Sequence, residues 1–589
     1  MRNLYPIAYD TETTGLDRER HSMFAYSTDT EDGDNRVIRM DGKDKSNMSL
    51  ALKKLKALFD RKDKIFVMHN AKFDIGMTER KLDRKMIETL PFHDTMRQSH
   101  IIQSDHRGHG LKNLAWEIAN IPTDDEKDIK PFIKNPDGET DYSCVPPHLM
   151  KKYAGRDAMR TILLHMFFYP KIEANPKWLE CYNTEIDVIR VALRMEERGL
   201  TLHHRNAIAL RAKMHADAET VLNQAEQELG ERFDLGNNNV IRRILYDRLR
   251  MPVKKVTGKS GQASVDKDAL ADMKENNPHP ILDLILQYKS WKRGVTTMDS
   301  YLELADEYGV IHPNMNTCQA ATARQSCSNP NLQNVEKDGK LLNPYPVPAR
   351  MAFKPRQGYV NFHMDYKGIQ FRLAVIRTGD PVLIDMVMRD VDLHVVGAKL
   401  LFGSKWDKGT KEQQKIWRNA SKNGNFAKMF GAGYRKVCQV LGFEIPIANW
   451  NEYETVFAPL DRSSRQIVEF AKHHGYTETT FGRRLWVPRH KPYAATNYAI
   501  QGDEAEIVKR AMIRANKVLN DLTGGEACLI LSVHDEIVIE YPRTRLQEAL
   551  YVLGEVRKVI IDFPIFDAPL EVDVEISTRD WSKKEAFTL

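Results

Sequence analysis

Asp10 and Glu12 stand two apart at the end of an apolar run, Leu4 to Tyr9, that reads as a buried strand continuing into DTETTGLD. Side chains two apart on a strand share a face. Two such carboxylates repel unless a cation lies between them, so a divalent metal is their natural occupant. A second strand, Ile65 to Met68, runs through HNAKFD and delivers Asp74 at the start of a helix. Tyr153 and Asp157, four apart in a helical segment from His148 to Phe168, fall on one helix face. Four acids so disposed suit a pair of metals about 3.5–4 Å apart for phosphoryl chemistry. Taken singly, acids that follow strands are commonly turn or helix-cap residues.

A second set is spread more widely. VNFHMD (360–365) alternates apolar and polar residues as a half-buried strand does, and Asp365 closes it. Leu529 to Val533 and Ile537 to Glu540 read as strands joined at His534-Asp535-Glu536, a hairpin whose tip leaves its carboxylates exposed. Asp365 and Asp535 can meet across 170 residues of sequence, where magnesium would activate a hydroxyl and stabilise a leaving pyrophosphate. Between them, Gln413 to Tyr434 reads as a helix with Arg418, Lys422, Phe426 and Phe430 at intervals of four. These four fall within roughly 120° of arc and span about 18 Å of axis. Cations come first and rings later, the grading of a nucleoside triphosphate, and helix N-termini favour anions. The small residues Gly424, Ala427 and Gly431 let a planar ligand approach. The same spacing also occurs on solvated faces and in cores.

The elements that must position these groups belong to a chain of 589 residues, enough for three or four domains. Apolar content of 42% and charged content of 29% describe an ordinary globular protein, and a net charge of +6 proves no nucleic-acid partner. Between Lys405 and Lys436, however, nine Lys/Arg face two acids, a local field that suits phosphate. Six scattered cysteines without a CxxC pair argue against structural zinc and a disulfide framework and fit a reducing, cytoplasmic compartment. No signal peptide or membrane-length apolar run is visible. Pro170 and Pro176 flank a polar stretch that reads as a domain boundary, and Ile186–Arg198 and Ala207–Leu229 as packed amphipathic helices. The turn-rich segment Met251 to Ala271 carries Lys254, Lys255, Lys259 and Lys267, suited either to phosphate-backbone contact or to a solvated loop.

The ordered set DTET, HNxxFD and YxxxD, with HDTM (93–96) and GLKNL (110–114) between, resembles the DEDD-type 3′–5′ proofreading exonucleases, the subclass with Tyr. That resemblance implies metal binding by Asp10, Glu12, Asp74 and Asp157, and orientation of the attacking water by Tyr153. DYKGIQFRLA (365–374), RNASKNGNFAKMFG (418–431) and VHDE (533–536) resemble the three polymerase motifs of A-family DNA polymerases, the bacterial DNA polymerase I type. TARQSCSNPNLQN (322–334), DLH (392–394), TETTFGRRLWVP (477–488) and NYAIQG (497–502) agree in order. This second resemblance implies metal ligation by Asp365, Asp535 and Tyr366, triphosphate contacts from Arg418, Lys422 and His394, and Phe426 against sugar and base. Gln370 and Phe430 join the nucleotide pocket. Arg324, Gln333, Asn334, Gln501 and His534 become primer-terminus or minor-groove contacts, which check pair shape without reading sequence. Lys254, Lys255 and Lys259 become DNA-backbone contacts.

The implied architecture is mixed α/β and α+β: a ribonuclease-H-like exonuclease domain followed by a right-hand polymerase of thumb, palm and fingers. The expected divisions are 1–172 exonuclease, 178–310 thumb and start of the polymerase, 311–400 palm, 401–480 fingers and 481–589 palm. Magnesium, two ions at each site with manganese able to substitute, is the expected cofactor. Primer–template DNA, dNTPs and single-stranded DNA are the expected partners of a monomer. No 5′-nuclease domain is seen before Asp10 and no large insertion near 250–290, so a bacteriophage or organellar replicative enzyme is expected. Three departures stand out: Gln370 where relatives commonly have Glu, Phe430 where they have Tyr, and Ala427 where Gly is usual. Loss of both hydrogen-bonding partners at 370 and 430 is nearly neutral where loss of one costs about 1–3 kcal/mol, and Gln370 is expected to exclude a 2′-hydroxyl by bulk. The rival readings are a single-subunit RNA polymerase, opposed by the exonuclease motifs, and a nucleic-acid-binding protein with a dead site, opposed by intact Asp365 and Asp535.

Overall fold

Strand β1 runs Tyr5–Thr13, past the expected end at Tyr9, so Asp10 and Glu12 lie within it. The computed structural model describes residues 4–43, 47–105, 108–258, 260–336, 345–566 and 568–589. With β2 (Met23–Asp29), β3 (Arg36–Arg39), β4 (Lys64–Met68) and β5 (Phe92–Asp94), β1 forms a sheet of order β3-β2-β1-β4-β5. The β3-β2-β1 side is antiparallel and the β1-β4-β5 side parallel. Parallel neighbours need a crossover, and α1 (Ala71–Leu82) supplies it between β4 and β5. Helices α2 (Thr95–Ile102) and α3 (Leu111–Ala119) follow. The long α4 (Pro147–Glu173) then lies across the sheet, its Ala158 and Ile162 packed on Ala8 and Val67. That contact sets Asp157 beside β1.

The expected domain boundary between Pro170 and Pro176 is crossed with almost no irregular chain. Pro170 lies inside α4, and only Ala174 and Asn175 separate it from α5 (Pro176–Arg198). The Asn175 side chain accepts from the N–H groups of Lys177 and Trp178, and Pro176 takes a helix-start position where its missing N–H costs nothing. A long helical arm follows, α6 (His204–Leu229), α7 (Lys267–Asn276) and α8 (Pro280–Leu304), with its own apolar core around Leu245, Leu270 and Ile285.

The second sheet assembles β6 (Tyr359–Tyr366), β7 (Cys528–Val533), β8 (Glu536–Pro542), β9 (Val572–Ser577) and β10 (Glu585–Ala586) in the order β7-β8-β6-β9-β10, all antiparallel. Between β6 and β7 lie α9 (Ile369–Thr378), α10 (Leu393–Phe402), α11 (Lys411–Met429), α12 (Ile447–His474) and α13 (Ala495–Thr523). Helix α14 (Ala549–Ile561) follows β8 and packs on α13.

Helix α11 is shorter than expected. It begins at a capping box, in which the Thr410 hydroxyl accepts from Gln413 N and Gln413 Oε1 accepts from Thr410 N. It ends at Met429, because Phe430 leaves helical geometry and Gly431 takes φ +82°, a conformation that favours glycine. All six cysteines are free thiols. Among the described residues no helix is long and apolar enough to cross a membrane.

Candidate active sites

Carboxylate oxygens of Asp10, Glu12 and Asp157 lie within 4.8 Å of one another. Burial, then the neighbouring Asp74, Glu12 and Asp157, push the Asp10 carboxyl well above the usual range. Burial and the Asp157 charge do the same to Glu12, whose buried Oε1 has no hydrogen-bond partner. Burial raises Asp157 as well, against the pull of Lys112 and Arg160. An orphaned oxygen among mutually repelling carboxylates is a donor set that fits a hard divalent cation. Asp74 stands slightly apart from this trio. Its Oδ1 accepts from Thr11 N at 3.0 Å and Thr11 Oγ1 at 2.7 Å, and burial pushes its carboxyl up to about 7.

The Tyr153 hydroxyl accepts from Lys112 Nζ at 2.8 Å, and the same ammonium lies 3.6 Å from Asp157 Oδ2. Lys112, from the GLKNL segment, is thus a site residue that sequence reasoning passed over. So is Arg160, whose Nη1 bonds Asp157 Oδ1 at 2.7 Å. Between them, the two cations engage both oxygens of Asp157.

At the second sheet, Tyr366 N donates to the Asp535 carbonyl at 3.2 Å, so Asp365 and Asp535 sit on adjoining chain ends. The turn between β7 and β8 is closed by His534 at φ +57°. Tyr366 itself points away: its hydroxyl donates to Ile560 O at 2.6 Å, which leaves only its main-chain carbonyl as a ligand. The expectation of exposed carboxylates at the tip fails for Glu536, which begins β8 and is buried. Glu536 accepts from His363 Nδ1 at 2.6 Å and from Lys584 at 2.8 and 2.9 Å, partners that hold its carboxyl well below the usual range despite burial.

Gln333 Nε2 donates to Ser532 O at 3.1 Å, bringing the NPNLQN segment against the end of β7. Asn334 and His534 are exposed there, and Gln501 is half-buried on α13. Arg324 is engaged by protein: its guanidinium pairs with the buried Glu504 of α13. Lys254 lies 3.3 Å from Asp272, and Lys255 lies 2.9 Å from Asp266 and 3.4 Å from Asp268, so both lysines are paired within the arm. Lys259 lies outside the described residues.

On α11, Arg418 Nε bonds Asp392 Oδ2 at 2.6 Å, Lys422 is exposed and Phe426 is half-buried. The His394 ring lies 6.1 Å from Phe426, nearly parallel at 29°, and 5.0 Å from Phe371. Asn425 Nδ2 donates to His394 Nδ1 at 3.1 Å, which leaves Nε2 as the N–H donor. Burial lowers His394 to about 4, so it meets a ligand as a neutral donor rather than as a cation. Phe430 is the C-cap of the helix, 41% exposed, and its N–H still donates to Phe426 O at 3.3 Å. Helices α10 and α11 approach closely at Gly397, where a Cβ would stand 2.6 Å from Ser421 Oγ. Asp392 is a further residue that the DLH segment contained without announcing its role; it caps α10 while holding Arg418. Nothing in the structure explains Ala427.

Residues 205–583 match the family model described as DNA polymerase family A. The chain belongs to that family. Residues 1–173 match the model described as 3′–5′ exonuclease, so an exonuclease domain precedes an A-family polymerase domain, as the motifs implied. DNA polymerase I of Pseudomonas aeruginosa is 27% identical over 601 aligned positions, covering 97% of this chain and 63% of the relative. Thermostable DNA polymerase I of Thermus filiformis is 29% identical, covering 81% and 57%. The chain thus spans 63% or less of the length of these curated relatives. Among solved structures, the POL domain of Pol1 from M. smegmatis, in complex with DNA primer-template and dNTP, shares the fold. Its TM-score is 0.77 at 23% identity, with 98% of this chain and 96% of that chain covered.

Proposed function

We propose that this chain extends a DNA primer on a template with dNTPs and trims single-stranded 3′ ends at a separate exonuclease site. The observation that carries this reading is the meeting of Asp365 and Asp535 at the Tyr366–Asp535 bond. Rings of Phe371, His394 and Phe426 join that centre to the graded face of α11. The working division is 1–172 exonuclease, 178–310 thumb and start of the polymerase, 311–400 and 481–589 palm, and 401–480 fingers. A phage or organellar replication setting is part of the same reading.

Magnesium, or manganese in its stead, held by Asp365, Asp535 and the Tyr366 carbonyl at one site and by Asp10, Glu12, Asp157 and Asp74 at the other, supplies Lewis acidity toward the reacting oxygens. The chain's own groups do the rest. Arg418 and Lys422 receive the triphosphate and neutral His394 donates Nε2–H to it. Phe426 carries the sugar and base, and Gln370 closes the sugar side. Arg324, Gln333, Asn334, Gln501 and His534 hold the primer end and minor groove, with Lys254, Lys255 and Lys259 on the backbone. In the nuclease site Tyr153, steadied by Lys112, orients the attacking water.

A primer-extension gel run with and without dNTPs and Mg²⁺ tests the reading. Asp365→Ala is expected to abolish extension while single strands are still degraded, and Asp10→Ala to do the reverse. Loss of both activities from either change, in a folded protein, would contradict two independent centres.

A further inference from the structure

Among the described residues, the two large apolar or aromatic side chains with the greatest exposure are Leu16, at 82%, and Tyr308, at 79%. Both line one cleft, whose volume of about 1740 Å³ exceeds the roughly 300–1,000 Å³ of small-molecule sites. Asp10, Glu12 and Asp157 lie along the same cleft, so it is continuous with the exonuclease-domain carboxylates. Leu16 follows β1 in the exonuclease domain, whereas Tyr308 belongs to the polymerase domain, just past the end of α8.

The turn that carries Tyr308 is held from several sides. Asp306 Oδ1 accepts from Tyr308 N at 2.9 Å and from Val310 N at 2.7 Å, and Gly309 takes φ +75°. Behind the turn, Val310–Ile311 pairs antiparallel with Leu200–Thr201, and His312 Nδ1 donates to Glu196 O at 2.8 Å. From the facing domain, the Arg20 guanidinium donates to Glu303 O near the end of α8. The backbone is thus pinned from both domains, while the phenol ring has no hydrogen-bond or ring partner among the described residues.

We propose that Tyr308 is a base-stacking platform, supplied by the polymerase domain, for the unpaired 3′ end of DNA in the exonuclease cleft. The inference rests on the exonuclease reading above. A strand end brought to the carboxylates has lost its pairing partner and exposes flat apolar faces. An aromatic ring on a fixed turn gives one such face a place to stack, whatever the base. The neighbours of Tyr308 decide which part of the strand it meets. Asp306 and Glu307 precede it and repel phosphate, and no cation stands in the run from Leu304 to Val310. Contact from this turn therefore falls on a base and not on the backbone.

The test is steady-state degradation of a 5′-labelled single-stranded oligodeoxynucleotide by the full chain with Mg²⁺, for wild type, Y308A and Y308F. Y308A is expected to raise KM about tenfold, the scale of one base–aromatic stack, with kcat little changed, because the ring binds and does not react. Y308F keeps the ring and is expected to match wild type. A second arm places one abasic residue at each of the terminal positions in turn. Wild type is expected to lose affinity when the abasic residue reaches the platform, and Y308A to lose nothing further there.

Y308A with the KM of wild type would leave Tyr308 a solvated turn residue and overturn the proposal. So would Y308F failing as badly as Y308A, which would assign the effect to the hydroxyl. Abasic penalties that Y308A feels in full at every position would overturn it too. So exposed a side chain contributes little to folding, and the melting temperatures of both variants are expected to equal that of wild type. Wild-type protein that degrades no single strand would sink the exonuclease reading itself, a result distinct from any of these.

Discussion

Lys112 sets its ammonium among the exonuclease-domain carboxylates, 2.8 Å from the Tyr153 hydroxyl, 3.6 Å from Asp157 and 4.1 Å from the Tyr153 ring centre. It fixes the phenol that the proposed hydrolysis relies on and offsets part of the charge at Asp157. Lys112→Met is therefore expected to slow degradation of a labelled single strand about tenfold or more, the cost of one charged hydrogen bond, while primer extension is unchanged; an unaltered nuclease rate would contradict that role. Asp10, Glu12 and Asp157 were legible because strand and helix periodicities oblige residues two or four apart to share a face. Lys112 and Arg160 were not, because their roles come from distance across the fold, and a lysine or arginine on a helix has no local mark that separates a partner from a solvated charge.

Elements carry a different lesson. The pattern of α11 was readable to Met429, but its end depended on Gly431 adopting φ +82°, which the run FGAGY permits without requiring. Helix α4 continued through Pro170 because packing on α2 and the sheet outweighs one missing hydrogen bond. Helix α13 buries Asp503, Glu504, Glu506, Lys509 and Arg510, each with an oppositely charged partner. Composition alone would assign such a stretch to solvent. Where β5, α4 and α5 meet, the His93 and His165 rings lie 4.7 Å apart, tilted by 30°, and burial lowers them to about 3 and about 4. A buried base whose pKa falls below its unfolded value binds fewer protons folded than unfolded. Stability from this pair is thus complete above about pH 6.5 and declines as pH falls toward 4. The urea midpoint is expected to drop between pH 7 and pH 5, and to drop less in His165→Gln; equal drops would exclude the pair as the source.

At the scale of the whole molecule, one ionic knot ties the polymerase core. Arg483 bonds Glu185 at 2.6 Å and Glu506 at 2.5 Å, and Lys509 bonds Glu185 at 2.5 Å, all with no exposed surface. Glu185→Ala leaves two buried cations short of a partner and is expected to cost about 3–5 kcal/mol in urea unfolding; a loss below about 1 kcal/mol would mean water reaches the cluster. A second set of bonds joins the exonuclease domain to the polymerase domain. Lys72 Nζ reaches Glu196, Asn314 Oδ1 at 2.8 Å and Met315 O at 2.6 Å, and Trp486 donates to Ser104 Oγ at 3.0 Å and Ile102 O at 3.1 Å.

That seam has a kinetic meaning. Domains clasped through buried and part-buried polar contacts would keep a constant gap between the proposed sites of synthesis and removal, so the travelling is left to the nucleic acid. Under the proposed activities, the choice between lengthening a strand and shortening it becomes a contest between duplex fraying and the next addition, refereed by the DNA rather than by a swinging domain.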